Sequence, residues 1–291
     1  MNMKPLRNAI AGIIAGIVIG AAPALAQDQP PVWNHNPADA DRGSEVWGNI
    51  AETFETCGGT WADLPGGDRQ SPINVIPRAT IPALLPPLVF DYHHTAFKVE
   101  NTGHVIEVPY GEGSVLWIGT EKYRLVQFHF HAPSEHEIRG KSFAMEAHLV
   151  HMNSSGQLAV VGVLLKEADA GNPLVDDIFA VAPDEESEIE VDGVSVDATD
   201  LLPLPNRRPA TRPRLPRVVK NYYTYAGSLT TPPCSEGVRW FVLSEPMEVS
   251  HEAVERLHEI VSQFPNYDGF PDNNRPVQAL NGRQVYQRRG F

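Results

Sequence analysis

Histidines that alternate along two short segments constrain the fold of this chain more than any other feature of its sequence. The first segment runs Gln127-Phe128-His129-Phe130-His131, and the second runs Glu146-Ala147-His148. Side chains of a β-strand point alternately to opposite faces, so His129 and His131 share one face and the two phenylalanines share the other. The pattern predicts two paired strands that bring three imidazoles together on one side of a sheet.

Three converging imidazoles form a ligand set for zinc. Three neutral ring nitrogens leave the fourth tetrahedral position open for water, which is the arrangement of a catalytic zinc site. Each ligating imidazole also needs its second ring nitrogen held by a hydrogen bond. Gln127 is placed to accept from His129, and Glu146 from His148. A lone His-x-His pair is more often structural, but the added Glu-x-His makes His129, His131 and His148 candidate zinc ligands.

The remaining histidines fit structural roles better. His151 lies three positions after His148 and therefore on the opposite face of the same strand. His136 follows Glu135 and is interpreted as a structural hydrogen-bonding residue, and His35 lies in an N-terminal segment with little periodicity.

Short apolar runs broken by proline and glycine dominate the chain from about residue 70. Four of them have strand length and β-branched content, namely 89–92, 105–108, 115–118 and 158–165. Two segments have helical periodicity, 174–182 and 251–263, and Ser250 precedes the second as a candidate N-cap. These patterns predict one mostly β domain with a few peripheral helices.

The first 26 residues have the layout of a signal peptide. Lys4 and Arg7 precede an apolar run over 9–22, and Ala24-Leu25-Ala26 follows as a small-residue cleavage site. An uncleaved membrane anchor stays open as an alternative, because the apolar run could barely span a bilayer. We predict export, to the periplasm or out of the cell.

Removal of residues 1–26 leaves 21 basic against 36 acidic residues, a net charge of −15. A surface this acidic repels phosphate backbones, so nucleic-acid binding is disfavoured. No membrane contact is expected after cleavage. Residues 27–45 are predicted to form an extended N-terminal arm, and residues 46–291 a single catalytic domain.

Cys57 and Cys234 are the only cysteines of the chain. In an oxidising compartment, a pair with none left over is most simply a disulfide. It would close a loop of about 177 positions, for which the chain-entropy model gives about 5 kcal/mol as an upper figure. Two reduced, buried thiols remain the alternative.

Two charged segments have the composition of surface insertions. Residues 183–200 are acidic, and residues 203–217 are rich in proline and arginine. Solvated loops are the simplest interpretation of both. The alternative is that the basic segment pairs with an acidic patch, on the same protomer or on a second one.

Seven motifs carry a resemblance to a known family. They are Gln70-Ser71-Pro72-Ile73-Asn74, Asn101-Thr102-Gly103-His104, Gln127 to His131, Ser134-Glu135-His136, Glu146 to His151, Gly227-Ser228-Leu229-Thr230-Thr231-Pro232-Pro233 and Asn273-Asn274-Arg275-Pro276. In this order they resemble the α-carbonic anhydrases, and the resemblance runs from about residue 47 to about residue 285. Several independent motifs in the same order make a chance similarity negligible.

The resemblance implies a mainly β fold, with one domain around a twisted, mostly antiparallel central sheet of about ten strands. It implies zinc as the cofactor, held by His129, His131 and His148. The implied activity is reversible hydration of carbon dioxide to bicarbonate and a proton, by attack of zinc-bound hydroxide. The resemblance also implies a disulfide between Cys57 and Cys234, as in bacterial members.

Roles for further residues follow from the same resemblance. Thr230 would lie beside the zinc-bound hydroxide, Glu135 would accept a hydrogen bond from Thr230, and His104 would be the proton shuttle. The shuttle is chemically sensible because histidine is the side chain whose ordinary pKa lies nearest to that of zinc-bound water. The apolar substrate pocket would be lined by Val150, Val160, Leu229, Val238 and Trp240.

One departure from the family pattern concerns proton transfer. Where the family usually has Trp-Gly-Tyr, this chain has Trp33-Asn34-His35, so the tyrosine is absent or replaced by His35. In addition, Glu107 lies on the pocket side if the strand register holds, and it is expected to raise the pKa of His104.

Two other functions compete with a catalytic carbonic anhydrase. A silent family member acting as a binding module would typically lack a zinc histidine, whereas all three are present here. A zinc esterase would need a cleft for a larger ester, which the sequence does not indicate. The preferred interpretation is a zinc carbonate dehydratase whose partners are carbon dioxide and bicarbonate, with a homodimer left open.

Overall fold

Strands account for most of the regular secondary structure in the computed structural model, which describes residues 31–58, 67–203 and 215–289. The predicted signal peptide at 1–26 and residues 204–214 of the basic segment lie outside this described part. In the described residues the strands are β1 (Asn74–Val75), β2 (Ile81–Pro82), β3 (Leu88–Asp91), β4 (Thr95–Asn101), β5 (Ile106–Pro109), β6 (Val115–Ile118), β7 (Glu121–His131), β8 (Glu137–Ile138), β9 (Met145–Met152), β10 (Leu158–Glu167), β11 (Ser187–Val196), β12 (Arg217–Val219), β13 (Tyr222–Ser228), β14 (Glu236–Leu243), β15 (Met247–Val249) and β16 (Tyr286–Arg288).

Ten of these strands form the main path of one large sheet, in the order β11-β4-β5-β7-β9-β10-β14-β13-β16-β2. Most neighbours are antiparallel, while β10 with β14 and β16 with β2 are parallel pairs. The strands β3, β6, β12 and β15 attach beside this path. The prediction of a mainly β fold around a mostly antiparallel sheet of about ten strands is confirmed.

Helices are few, and both predicted ones are present close to their expected bounds. The described residues contain α1 (Trp47–Ile50), α2 (Pro173–Val181) and α3 (His251–Ser262), besides the 3₁₀ helices Glu52–Cys57, Pro77–Ala79 and Ala198–Leu201. Asn172 caps α2 by accepting from the Leu174 N–H at 3.0 Å. Ser250 caps α3, as expected, by accepting from the Ala253 N–H at 3.1 Å.

The two faces of the sheet bury different apolar clusters. Phe128 and Phe130 lie fully buried in the larger cluster, which also contains the inward faces of α2 and α3. On β14, Trp240 belongs to the smaller cluster while its neighbour Phe241 belongs to the larger one. The alternation of side chains along the central strands therefore gives the sheet two faces. One face packs against the helices, and the other carries His129, His131 and His148.

The acidic segment at 183–200 contributes an edge strand rather than only a loop. Within it, β11 pairs with β4, and the Lys98 ammonium lies 3.0 Å from the carboxylates of both Glu188 and Glu190. Most of β11 is exposed, as a solvated insertion would be. The high charge density obscured the alternation of Ile189 and Val191 that would have predicted a strand.

The described part of the predicted N-terminal arm is folded into turns instead of being extended. Between residues 32 and 45, Asn34 and His35 are almost completely buried. The Asn34 side chain donates to the Asn266 carbonyl at 2.8 Å, and the Trp47 indole donates to the Asn34 carbonyl at 2.8 Å. These buried partners hold the segment, because leaving them unpaired would cost free energy.

Cys57 and Cys234 are joined by the predicted disulfide, with an S–S distance of 2.01 Å. The pair packs in a small apolar cluster with Trp47 and Phe54. No helix in the part of the chain that the structure describes is long and apolar enough to cross a membrane.

Candidate metal centre

The register between β7 and β9 sets His129 directly opposite His148. The ring centroids are 5.1 Å apart for His129 and His131, 5.2 Å for His129 and His148, and 4.7 Å for His131 and His148. One ring nitrogen from each of the three lies within 4.8 Å of the others. The structure thus brings together the three histidines that the sequence analysis singled out.

Each of these imidazoles has one nitrogen close to an acceptor. His129 Nδ1 lies 2.9 Å from Gln127 Oε1, and His148 Nε2 lies 3.1 Å from Glu146 Oε1. His131 Nδ1 lies 2.7 Å from the Asn273 carbonyl oxygen. The other nitrogen of His131, Nε2, is buried without a hydrogen-bond partner among the described residues. A buried nitrogen left in this way fits a metal ligand, since buried polar atoms otherwise find partners.

The three rings are held in the neutral form that binds metals. Burial lowers the pKa of His129 well below its ordinary value, and it lowers that of His131 to about 4. Burial also lowers the pKa of His148, against the opposing effect of the Glu146 carboxylate. Because a ligating imidazole must be unprotonated, this environment suits a divalent cation at neutral pH.

Glu146 is a buried carboxylate that orients two histidines at once. It accepts from the His136 backbone N–H at 2.7 Å and pairs with His136 Nδ1 at 2.8 Å, besides its contact with His148. Burial alone would raise the pKa of Glu146, but His136 and His148 hold it well below the usual range. On β10, Gly162 leaves room for this carboxylate, since a Cβ there would lie 2.5 Å from Glu146 Oε1.

Glu135 and Thr230 lie next to the histidine cluster. Glu135 Oε1 accepts from the Arg275 backbone N–H at 2.8 Å, and Oε2 lies 3.6 Å from His131 Nε2 and 3.7 Å from His148 Nδ1. Burial raises the pKa of Glu135 to about 7, against lowering effects that include a hydrogen bond from the Thr230 side chain. Thr230 itself is buried, in the loop that follows β13.

An apolar wall adjoins the histidines. The expected pocket residues lie in one cluster, in which Val160, Val238 and Trp240 are buried and Val150 and Leu229 are partly buried. The Trp240 ring lies 4.8 Å from the His148 ring, and its indole N–H donates to the Ser228 carbonyl at 2.9 Å. An apolar surface therefore lies immediately beside the candidate metal ligands.

His104 lies at the edge of the site and is stacked on Trp33. The two ring centroids are 3.7 Å apart with an angle of 7° between the planes. Burial lowers the pKa of His104 to about 4. The expectation that Glu107 raises this pKa is wrong, because burial also raises the pKa of Glu107, to about 7, and favours its uncharged form.

Two backbone contacts of the site were missed from the sequence, and the position of His35 was left open there. The Asn273 carbonyl is the acceptor for the third candidate ligand, and Arg275 supplies the backbone N–H that holds Glu135. His35 is buried beside the cluster, with its ring centroid 6.4 Å from that of His131. The Asn-Asn-Arg-Pro motif was the available signal for Asn273 and Arg275. The motif could not predict these contacts, because every residue has a backbone carbonyl and almost every residue has a backbone N–H.

Comparisons with known proteins identify the family of this chain. Residues 52–289 match the family model for eukaryotic-type carbonic anhydrase. The carbonic anhydrase of Neisseria gonorrhoeae is 37% identical over 256 residues, covering 88% of this chain and 87% of that protein. The α-carbonic anhydrase of Thermovibrio ammonificans, solved with the inhibitor sulfanilamide, has a TM-score of 0.72 and 36% identity, covering 89% of this chain and 100% of that one.

A solved structure of dioscorin complexed with ascorbate is also similar, with a TM-score of 0.72 and 29% identity over 89% of this chain and 98% of that one. The family model spans most of the sequence, and the relative from Neisseria gonorrhoeae exceeds 30% identity over most of both lengths. The chain therefore belongs to the α-carbonic anhydrase family and is a carbonate dehydratase, a lyase that acts on carbon dioxide and bicarbonate.

Proposed function

We propose that this chain hydrates carbon dioxide with a zinc ion held by His129, His131 and His148. The observation that carries the proposal is the pairing of each ring. One nitrogen of every imidazole lies close to an acceptor, from Gln127, Asn273 or Glu146, while one ring nitrogen per residue falls within 4.8 Å of the other two. A ligand set fixed in tautomer and orientation before the metal arrives is what a tight zinc site needs.

Zinc at this position supplies a Lewis acid that lowers the pKa of water into the neutral range. Thr230 and Glu135 then orient the attacking water molecule. Since Thr230 has a single hydroxyl proton and Glu135 accepts it, the Thr230 oxygen keeps its lone pairs for a proton of that water. The lone pair of the water is thereby aimed at the substrate carbon.

The apolar wall receives the substrate. Carbon dioxide has no net dipole and no hydrogen-bond donor, so a surface of valine, leucine and tryptophan costs it little desolvation. The cluster formed by Val150, Val160, Leu229, Val238 and Trp240 offers that surface directly beside His148. We assign these residues to the binding of carbon dioxide.

His104 is assigned as the proton shuttle, with a consequence for the rate. Its position at the partly exposed edge of the site suits transfer between the interior and solvent. With a pKa of about 4 in the stacked position, however, the ring accepts a proton from a donor of pKa near 7 about a thousandfold less readily than an acceptor matched to that donor. The turnover is therefore expected to increase strongly when imidazole or another external buffer is added.

Stopped-flow hydration of carbon dioxide tests the function. The mature protein is measured as purified, after removal of metal and after zinc is restored. We expect activity that disappears with the metal and returns with zinc, and that is lost in His129→Ala. The exposed histidine of α3 offers a matched control, since His251→Ala leaves the site intact.

A zinc-loaded protein without hydration activity would overturn the proposal. It would instead favour a binding module; the similar structure of dioscorin was solved in complex with ascorbate. Zinc content measured on the same sample separates loss of metal from loss of catalysis.

We also propose that the protein works outside the cytoplasm, in the periplasm or secreted. The sequence of residues 1–26 and the Cys57–Cys234 disulfide support this, because structural disulfides persist in oxidising compartments. Fractionation of cells that express the full chain should find the protein outside the cytoplasm and shortened by 26 residues. A full-length cytoplasmic product would contradict export.

A further inference from the structure

A tyrosine hydroxyl connects two histidines beside the candidate metal centre. Tyr267 lies just beyond α3 and is almost fully buried. Its hydroxyl makes a short hydrogen bond with His35 Nδ1 and lies 3.4 Å from His104 Nδ1. The three side chains come from the N-terminal segment, the loop before β5 and the segment after α3, so only the fold brings them together.

The number of protons in this group is restricted. Burial raises the pKa of Tyr267 well above its ordinary value, and burial lowers the pKa of His35 well below 6.5 and that of His104 to about 4. At neutral pH the tyrosine therefore has one O–H, and each imidazole has one N–H. One hydroxyl cannot donate to both Nδ1 atoms, so it donates to one ring and accepts from the other.

The two contacts of the Tyr267 hydroxyl decide the direction. The hydroxyl lies closer to His35 Nδ1 than to His104 Nδ1. An O–H donor makes shorter hydrogen bonds than an N–H donor, so the shorter contact is assigned to the Tyr267 O–H and the longer one to an imidazole N–H. The Nδ1 atom of His35 then accepts from Tyr267, and the proton of His35 lies on Nε2.

We propose that Tyr267, anchored by His35, is a positioning residue that holds His104 in the tautomer protonated at Nδ1. The Tyr267 oxygen then accepts from His104 Nδ1–H, and the lone pair of His104 lies on Nε2. Trp33 fixes the plane of the same ring by stacking on it. The inference rests on the proposed function in one respect, namely that His104 accepts a proton during turnover.

Nuclear magnetic resonance of the metal-free protein tests the tautomer without any catalysis. In ¹⁵N-histidine spectra, the wild type should show His104 protonated at Nδ1. Tyr267→Phe keeps the ring and removes the hydroxyl, so His104 should move toward the tautomer protonated at Nε2. Tyr286→Phe is the matched control, because the exposed Tyr286 hydroxyl donates to Gln284 and makes no hydrogen bond to a histidine among the described residues, so His104 should stay unchanged.

A second variant guards against a folding defect in the first. His35→Ala removes the acceptor of the Tyr267 O–H, which is then free to donate to His104 Nδ1, so the same change of tautomer is expected. If His104 keeps its Nδ1 proton in both variants, or already has it on Nε2 in the wild type, the inference is wrong.

Kinetics of the zinc-loaded protein give an independent readout. Proton transfer limits kcat and not kcat/KM. Tyr267→Phe should therefore lower kcat about tenfold in weak buffer and leave kcat/KM unchanged. Added imidazole should restore part of the lost kcat. A parallel fall in both constants would indicate a merely structural role and overturn the assignment. Failure of the proposed function is distinguishable, because the wild type itself would then lack zinc-dependent hydration while the tautomers could still be read.

Discussion

At the scale of single residues, Glu146 connects two buried histidines of the candidate site. Its two oxygens serve the backbone and ring of His136 and the ring of His148, and Gly162 provides the space. His136 in turn contacts the Tyr225 hydroxyl at 2.7 Å through Nε2. A buried carboxylate with several donors stays ionised and fixes the rings around it.

Glu146→Gln should weaken zinc binding, because the amide has one acceptor oxygen where the carboxylate has two. Loss of such an outer hydrogen bond typically costs 10- to 100-fold in metal affinity, so the zinc Kd should rise by about that factor. Competition with a chromophoric chelator measures it. Glu188→Gln on the exposed face of β11 is the control, and equal affinities in the two variants would contradict the role of Glu146.

His151 makes stability depend on pH. It is fully buried, pairs with the Tyr92 hydroxyl at 2.6 Å, and burial lowers its pKa from 6.5 to about 4. Between pH 6.5 and pH 4, His151 is protonated in the unfolded chain but not in the folded chain. The free energy of unfolding therefore decreases as the pH is lowered through this range. The shift corresponds to about 3 kcal/mol by pH 4.

Urea unfolding at pH 7.5 and pH 4.5 measures this contribution in the wild type and in His151→Gln. We expect the variant to be less stable at pH 7.5 but to lose less stability on acidification. Exposed His251 provides the comparison, since His251→Ala should keep the wild-type pH dependence. If the free energy of unfolding changes by the same amount between the two pH values in all three proteins, His151 is not the titrating group.

At the scale of elements, an irregularity in β7 decides which side chains reach the site. The pairing with β9 shifts between Leu125 and Gln127, which leaves Val126 as an extra residue. Leu125 therefore joins the helix-covered core, although strict alternation would place it on the face of Gln127 and His129. A β-bulge of this kind redirects side chains next to a functional site.

Ser250 shows how a local signal fixes a helix end. Its hydroxyl oxygen accepts from the Ala253 N–H, and its O–H donates to Asp176 Oδ1 of α2 at 2.5 Å, so Ser250 joins the two helices. Ser250→Ala should lower the free energy of unfolding by about 1 kcal/mol. Urea unfolding checks this against Ser262→Ala at the C-terminal end of α3, which caps no helix N-terminus and for which a change below about 0.5 kcal/mol is expected.

At the scale of the whole molecule, the disulfide joins two distant parts of the chain. Cys57 and Cys234 are 177 positions apart, and the Cys57 carbonyl accepts from the buried Arg275 guanidinium at 3.2 Å. The bridge thus links the N-terminal segment, the loop after β13 and the Asn-Asn-Arg-Pro segment. Reduction removes the one covalent restraint that keeps Cys57 near Cys234 in the unfolded chain.

Replacement of both cysteines by serine should lower the free energy of unfolding by up to about 5 kcal/mol, the chain-entropy figure for a loop of this length. Thermal and urea unfolding of the double variant provide the measurement, and the wild type under strong reductant provides the comparison. If the free energy of unfolding decreases by less than about 1 kcal/mol in both the double variant and the reduced wild type, the disulfide contributes little to stability.

The sequence by itself determined the elements whose signals are local. Alternating histidines with Gln127 and Glu146 predicted the paired strands and the candidate ligands, and Ser250 marked the start of α3. The motifs indicated the family. Each of these depends on neighbours within a few residues, where the geometry of strand and helix leaves a readable period.

Only the tertiary structure decided the contacts between remote segments. The Asn273 carbonyl beside His131, the stacking of Trp33 on His104 and the pairing of Tyr267 with His35 join positions more than 70 residues apart. The low pKa of His104 has the same origin, because burial depends on what packs over a residue and not on its neighbours in the chain. Backbone acceptors and desolvation carry no residue-type signature, so they became visible only once the chain was folded.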